Sequence, residues 1–314
     1  MADPSLQMAT QPDAEASAAR FATVSIDEQE RLRTHAHETA RSFGWLPRAH
    51  HFSRPREIYR QSLKRLNALE RELYDLRTPE PSDDLQWLYD NLRLVRSELQ
   101  DLRDATRTLA KLPQVRAAGE DAIPRCIVLG RALLEASNYR LSQAEFAFYI
   151  EAVQEIEPLR LAELSGMLTV LKLVLLDLLA TRGYKALEAF RKDGVSAASL
   201  NIGRLVGSLR LIGAIEWRDT IEGLSIVHRT LSLDPAGVYP RMEFDSRDAY
   251  RPRVARVAGH SDVGEIDLAR LAVKLAEEAK IERSAHEALR ERLRHVGYYL
   301  VDETGSEELL HRVG

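Results

Sequence analysis

The chain has 314 residues, 45% of them hydrophobic and 29% charged, enough to bury a sizeable core in one or two domains. A formal net charge of −4 and 6% aromatic residues exclude a general nucleic-acid binder, which needs a concentrated basic surface, and a single-strand stacking platform. The single cysteine, Cys126, excludes an internal disulfide and reads as a small core residue, in keeping with a reducing compartment.

Residues 1–24 are rich in Ala, Ser, Asp and Gln without apolar periodicity, and the expectation is a disordered tail with no signal peptide, leaving the chain on the cytoplasmic side. Ser25 then opens a helix with acidic residues in its first turn, running to about Phe43 and ending at Gly44. His35 and His37 fall on different faces of that helix, and His50-His51 lacks a carboxylate at zinc-type spacing, so no metal site is expected.

Ile58, Leu63, Leu66, Leu69, Leu73 and Leu76 form an apolar stripe, and Leu88, Leu92, Val95, Leu99, Leu102 and Leu109 form another. Thr78-Pro-Glu-Pro-Ser-Asp-Asp84 separates them, so residues 25–112 are predicted to form an N-terminal helical hairpin region. Too few clean heptads occur to prefer a coiled coil.

Residues 113–314 are predicted to form a second, larger helical bundle. Ser142 to Glu145 reads as a capping box. Gly166 to Ala180 is strongly apolar but carries Lys172 and Asp177 and is shorter than a bilayer span, so it reads as a buried core helix. A separate helix is expected over Tyr184–Lys192. Gly203, Gly207 and Gly213 on the next helix imply close packing. The fold class is thus all-α, a multi-helix bundle or array; no repeat of fixed period supports a solenoid.

The helical pattern fails over residues 232–246. Asp234-Pro235 and Gly237 set a turn, Pro240 breaks the chain again, and Asp245 to Asp248 offers caps for a helix from about Arg247. Asp234, Arg241, Glu243, Asp245, Arg247, Asp248 and Arg251 crowd around three aromatic rings, Tyr239 on this loop, Phe244 and Tyr250, which reads as a corner pinned by ion pairs. Beyond it, Arg283, Arg290, Arg292 and Arg294 make the last long helix basic on one side, a solvated face or a surface for anionic lipid. Val296 to Val301 has β-type residues with no evident strand partner. The end at Leu310 to Gly314, just after that piece, leads us to expect further chain.

No phosphate loop, Gly-x-Ser-x-Gly, His-Glu-x-x-His or Cys-x-x-Cys occurs, and no βα alternation suggests a sugar-nucleotide domain. No cofactor is expected, and the chain alone is expected not to be catalytic.

Several segments carry a resemblance: Ile221-Glu222-Gly223-Leu224-Ser225, Asp234-Pro235-Ala236-Gly237-Val238-Tyr239, Met242-Glu243-Phe244, Ser246-Arg247-Asp248, Tyr250-Arg251, with Gln86-Trp87-Leu88-Tyr89-Asp90-Asn91 upstream and His295 to Asp302 downstream. In this order they resemble the N-terminal region of bacterial cyclic β-1,2-glucan synthases, large inner-membrane enzymes. The resemblance implies a cytoplasmic helical module that supports, docks or primes glucan synthesis from UDP-glucose, with the transferase in the remainder of the synthase. Because such enzymes build glucan on the protein itself, it also makes Tyr239, expected on an exposed loop, a candidate acceptor, helped by Asp234 or Glu243. The competing role for Tyr239 is to anchor the corner through its hydroxyl. Two other readings stay open: a stand-alone helical adaptor that binds protein, and an enzyme using the charged loop.

Overall fold

A computed structural model describes residues 24–45, 54–75, 82–116, 122–193, 200–281 and 287–313. Residues 1–23 of the expected tail, the pair His50-His51 and Arg283 lie outside these residues; Val24, the last residue assigned to the tail, is buried. The fold is all-α, as the apolar periodicity predicts. It forms two compact units, one of residues 1–158 and 165–217, the other of 159–164 and 218–314.

The first unit contains α1 (Ile26–Arg41), α2 (Arg54–Asp75), α3 (Asp83–Asp90), α4 (Leu92–Leu109), α5 (Arg125–Ala136), α6 (Gln143–Ile156), most of α7 (Leu161–Asp193) and α8 (Ile202–Ala214). Side chains cap its helices where expected: Ser25 accepts from the Glu28 amide at 3.3 Å and Ser142 from the Glu145 amide at 3.1 Å. The second apolar stripe is split at Asn91, whose side-chain amide donates to the Trp87 carbonyl at 2.7 Å, and α2 packs on α4 as the hairpin predicts. Helix α1 packs on α6 and α5 instead, so residues 25–112 share one core with the helices C-terminal to them.

The proline-rich connector supplies two short strands, β2 (Gln114–Arg116) and β3 (Ile123–Pro124). These pair antiparallel, and β1 (Gly44–Trp45) adds to β2. This small sheet was not expected, because strands of two or three residues leave no period to read.

Helix α7 joins what the sequence divides at Gly183 into one rod of 33 residues. It is long and apolar enough to cross a membrane, with a mean hydropathy of 1.8 in its most apolar stretch. Here it is a core helix: Met167, Val170, Leu171, Leu175, Leu176 and Leu179 are buried. The two charges of the apolar run from Gly166 to Ala180 are paired at the rim, Lys172 with Glu98 at 2.7 Å and Asp177 with the Ser62 hydroxyl at 3.0 Å. Cys126 is buried, as expected of a core residue.

The second unit contains α9 (Arg218–Leu224), α10 (Ile226–Leu231), a 3-10 turn (Tyr239–Arg241), α11 (Phe244–Asp248), α12 (Arg251–Gly259), α13 (Glu265–Ile281), α14 (Glu287–Leu293), α15 (Val296–Val301) and α16 (Glu303–Val313). Helix α13 is its spine, packing on α10, α12, α15 and α16. The strand-like piece at Val296 is therefore helical: Val296, Tyr299 and Leu300 take helical spacing and are buried in the core. The new helix in the charged loop also starts earlier than expected, at Phe244, and its cap residue Glu243 makes no side-chain capping bond.

Candidate functional site

The charged corner of the second unit is built around two buried carboxylates. Asp234 ends the turn after α10. Its backbone carbonyl accepts from the Gly237 amide at 2.8 Å, and Gly237 has φ of +62°, a left-handed conformation that explains glycine there. The turn folds the chain back over the Asp234 side chain. One carboxylate oxygen accepts from the Val238 and Tyr239 amides at 2.9 and 3.0 Å and from the His295 ring at Nδ1, 2.9 Å away. The other accepts from the Val296 amide at 3.0 Å. A single side chain thus ties the loop to the start of α15. Burial by itself raises the carboxyl pKa, but the His295 ring and the Tyr239 and Val296 amides outweigh it and hold it at about 2.

With Nδ1 of His295 donating to Asp234, Nε2 accepts the Tyr250 hydroxyl, 3.2 Å away. Gly297 makes room for this pair: a β-carbon there would collide with the Tyr250 hydroxyl and the His295 ring. Tyr250 meets Tyr239 edge to face, with ring centroids 5.4 Å apart.

The second carboxylate, Glu222 on α9, receives Arg247 in a fork at 3.0 and 2.6 Å and Arg251 at 2.7 Å. Its Oε1 lies 3.6 Å from His228 Nδ1, which in turn lies 3.3 Å from the Tyr239 hydroxyl. Burial pushes the Glu222 carboxyl up, while the Arg247 hydrogen bond and the charges of His228, Arg247 and Arg251 bring it below its ordinary value. Arg247 also donates to the Met242 carbonyl. Arg218 and Arg251 face the Phe244 ring at 4.4 and 5.1 Å.

Of the residues singled out from sequence, Asp234, Tyr239, Arg247, Tyr250 and Arg251 are brought into this network. Arg241 is exposed and donates to the Gly237 carbonyl at 2.6 Å. Glu243 and Asp245 are exposed, and Asp248 reaches the network only at its edge, pairing with Arg251 at 2.8 Å. The expectation of an exposed loop tyrosine is corrected: Tyr239 is 0% exposed, because its ring fills the space between His228 and Tyr250. Burial raises its pKa to about 12, and burial likewise raises that of Tyr250. A nucleophilic phenol needs a depressed value and access, whereas both phenols are buried and raised in this structure. The arrangement is one acid–histidine–tyrosine chain, Asp234–His295–Tyr250, beside a cluster in which Glu222 gathers Arg247 and Arg251 and His228 Nδ1 faces the Tyr239 hydroxyl; the two meet at the tyrosine edges, a lock that joins four separate segments.

Sequence reasoning placed Tyr250 and Arg251 in the corner and missed Glu222, His228 and His295 as members of the site. Glu222 and His228 read as ordinary helix residues, and His295 stood beside a supposed strand. The usable signal was the resemblance itself, since those residues lie in or beside its segments. The remaining histidines are dispersed: His35 meets the Tyr149 hydroxyl and His37 meets Glu155. Among the described residues no group of three His, Cys, Asp or Glu side chains is placed to hold a metal. Arg290 and Arg294 are partly buried, and Arg292 pairs with Asp302 and faces the Tyr298 ring.

Across known proteins, the chain is 21% identical over 295 residues to the cyclic beta-(1,2)-glucan synthase NdvB of Rhizobium meliloti, covering 69% of this chain. It is distantly related to that synthase. The chain spans 10% of that protein's length. No family model matches it.

Proposed function

We propose that this chain is the cytoplasmic helical N-terminal module of a membrane cyclic β-1,2-glucan synthase, or a separate chain serving one, and that it supports synthesis from UDP-glucose without catalysing it. The observation that carries this reading is convergence. The segments that resemble the synthase around residues 221–225, 234–239, 242–251 and 295–302 meet at Asp234 and Glu222. The distant likeness to a whole synthase supports the same assignment. Within it, Tyr239 serves as the anchor of the corner rather than as glucan acceptor, because its hydroxyl is turned inward onto His228.

Deleting the segment that encodes this chain in its native cell tests the reading. Loss of most cyclic β-1,2-glucan, restored by the wild-type chain, is expected. A deletion strain with normal amounts and sizes of that glucan would refute it. A blot of fractionated cells should place the chain with the membrane fraction, and a wholly soluble chain would remove the synthase as its site of action.

A further inference from the structure

The first unit carries a groove of about 650 Å³ where the start of α3, the turn before Ser142 and the start of α8 meet. Its frame is fixed internally. Asp84 accepts from the Leu200 and Ile202 amides at 2.7 and 3.1 Å, and Ser208 donates to the Tyr139 carbonyl and accepts from the Leu141 amide, both at 2.9 Å. Its floor is a glycine face on α8. A β-carbon at Gly203 would lie 3.1 Å from Nε1 of Trp87, whereas one at Gly207 would meet nothing within 4 Å. The Trp87 indole therefore rests its edge on Gly203 and remains 46% exposed beside an open floor. On the rim stand Asp83 and Arg140, both exposed, and among the described residues neither side chain has a hydrogen-bond or ion-pair partner. Arg204 completes the rim and donates to the Asn138 carbonyl at 3.3 Å.

Two aspartates and two arginines balance the charge of this groove, so neither an anion nor a cation is favoured. What remains is a flat apolar platform flanked by one free acceptor group and one free donor group. A ligand that matches is neutral, has one flat C–H face and carries hydroxyls that both donate and accept around its edge. A volume within the roughly 300–1,000 Å³ of small-molecule sites suits a short oligomer of such rings. We propose that this groove binds a pyranose chain, with one ring stacked on Trp87 and its vicinal hydroxyls held by Asp83 and Arg140. The pyranose class rests on the groove; the choice of β-1,2-linked glucan as its source rests on the function proposed above.

The test is calorimetric titration of the full chain with β-1,2-linked gluco-oligosaccharides, with α-1,4-linked gluco-oligosaccharides and UDP as comparators. Saturable binding that prefers the β-1,2 series is expected. Trp87→Ala should weaken it about tenfold or more and Arg140→Ala about threefold, with unchanged melting curves because both positions are exposed. No saturable binding of any neutral oligosaccharide, binding of UDP alone, or full affinity in Trp87→Ala would overturn the groove. Equal binding of both linkages would overturn the β-1,2 source while upholding the pyranose class. Failure here is separable from failure of the functional reading: glucan lost on deletion with no sugar bound refutes the groove alone, and sugar bound with glucan unaffected refutes the synthase role alone.

Discussion

Each of the two units is held together internally by different means. In the first, α7 threads a core of aliphatic side chains and places its charges at the rim, where Lys172 meets Glu98 and Asp177 meets Ser62. In the second, the spine α13 also buries aliphatic residues, but the irregular stretch from Ile226 to Tyr250 is fixed by two carboxylates that collect amides, guanidinium groups and histidines. Aliphatic packing is graded, since neighbours relax partly into a cavity and the cost follows the volume left. A buried carboxylate with several donors is not, because removing it leaves every donor unsatisfied at once.

That contrast predicts its own largest effect. Asp234→Ala strands the Tyr239 and Val296 amides and the His295 ring, and should cost the second unit about 3–5 kcal/mol. The unit can be read separately, because all three tryptophans, Trp45, Trp87 and Trp217, lie in the first. Amide exchange at Tyr239 and Val296 should accelerate while tryptophan fluorescence keeps its urea midpoint; protection unchanged at those amides would contradict the role given to Asp234. Leu176→Ala in α7, where the side chain is fully buried, should do the converse through a cavity, lowering the tryptophan-detected stability by about 3 kcal/mol. A loss below about 1 kcal/mol would mean that the core closes around the gap.

Acid should separate the units more gently. The Asp234 carboxyl is held at about 2 against an ordinary 3.8. A folded-state value below the unfolded one adds stability that is complete above about pH 4 and is lost as pH falls toward 2. The loss amounts to about 2 kcal/mol. Glu222, also held low, acts in the same direction, while Glu265, raised by burial, opposes it. Asp234→Asn should therefore flatten the acid limb of the exchange-detected stability between about pH 2 and 4, and a variant with the wild-type slope would assign that limb to other groups.

Legibility followed the same division. The apolar stripes of α2 and α4, the caps at Ser25 and Ser142 and the turn at Gly237 could all be read, because each depends on residues within a few positions of one another. Gly183 misled as a helix break, since its function is to admit Leu69 and Leu88 from α2 and α3, a reason located in other helices. Val296 to Val301 misled for a related cause: its β-type residues are buried by α13, which no local preference reports. At the site, Asp234 and Tyr239 drew notice through the broken helix around them, whereas the bonds of Glu222 to Arg247 and of His295 to Asp234 span 25 and 61 residues.

The smallest effect bears most directly on function. Tyr239→Phe keeps the ring that packs on Tyr250 and removes one hydrogen bond to His228 in a network of many. The expected cost is about 1 kcal/mol, far below that of Asp234→Ala. If the tyrosine is an anchor, a cell carrying this variant makes normal amounts of protein-bound and cyclic glucan, because the corner still closes. If the hydroxyl accepted glucan, the same variant would abolish protein-bound glucan while leaving the fold and its amide protection intact. That second outcome would require Tyr239 to leave its buried position during the reaction, and would turn the corner from a fixed lock into one that opens.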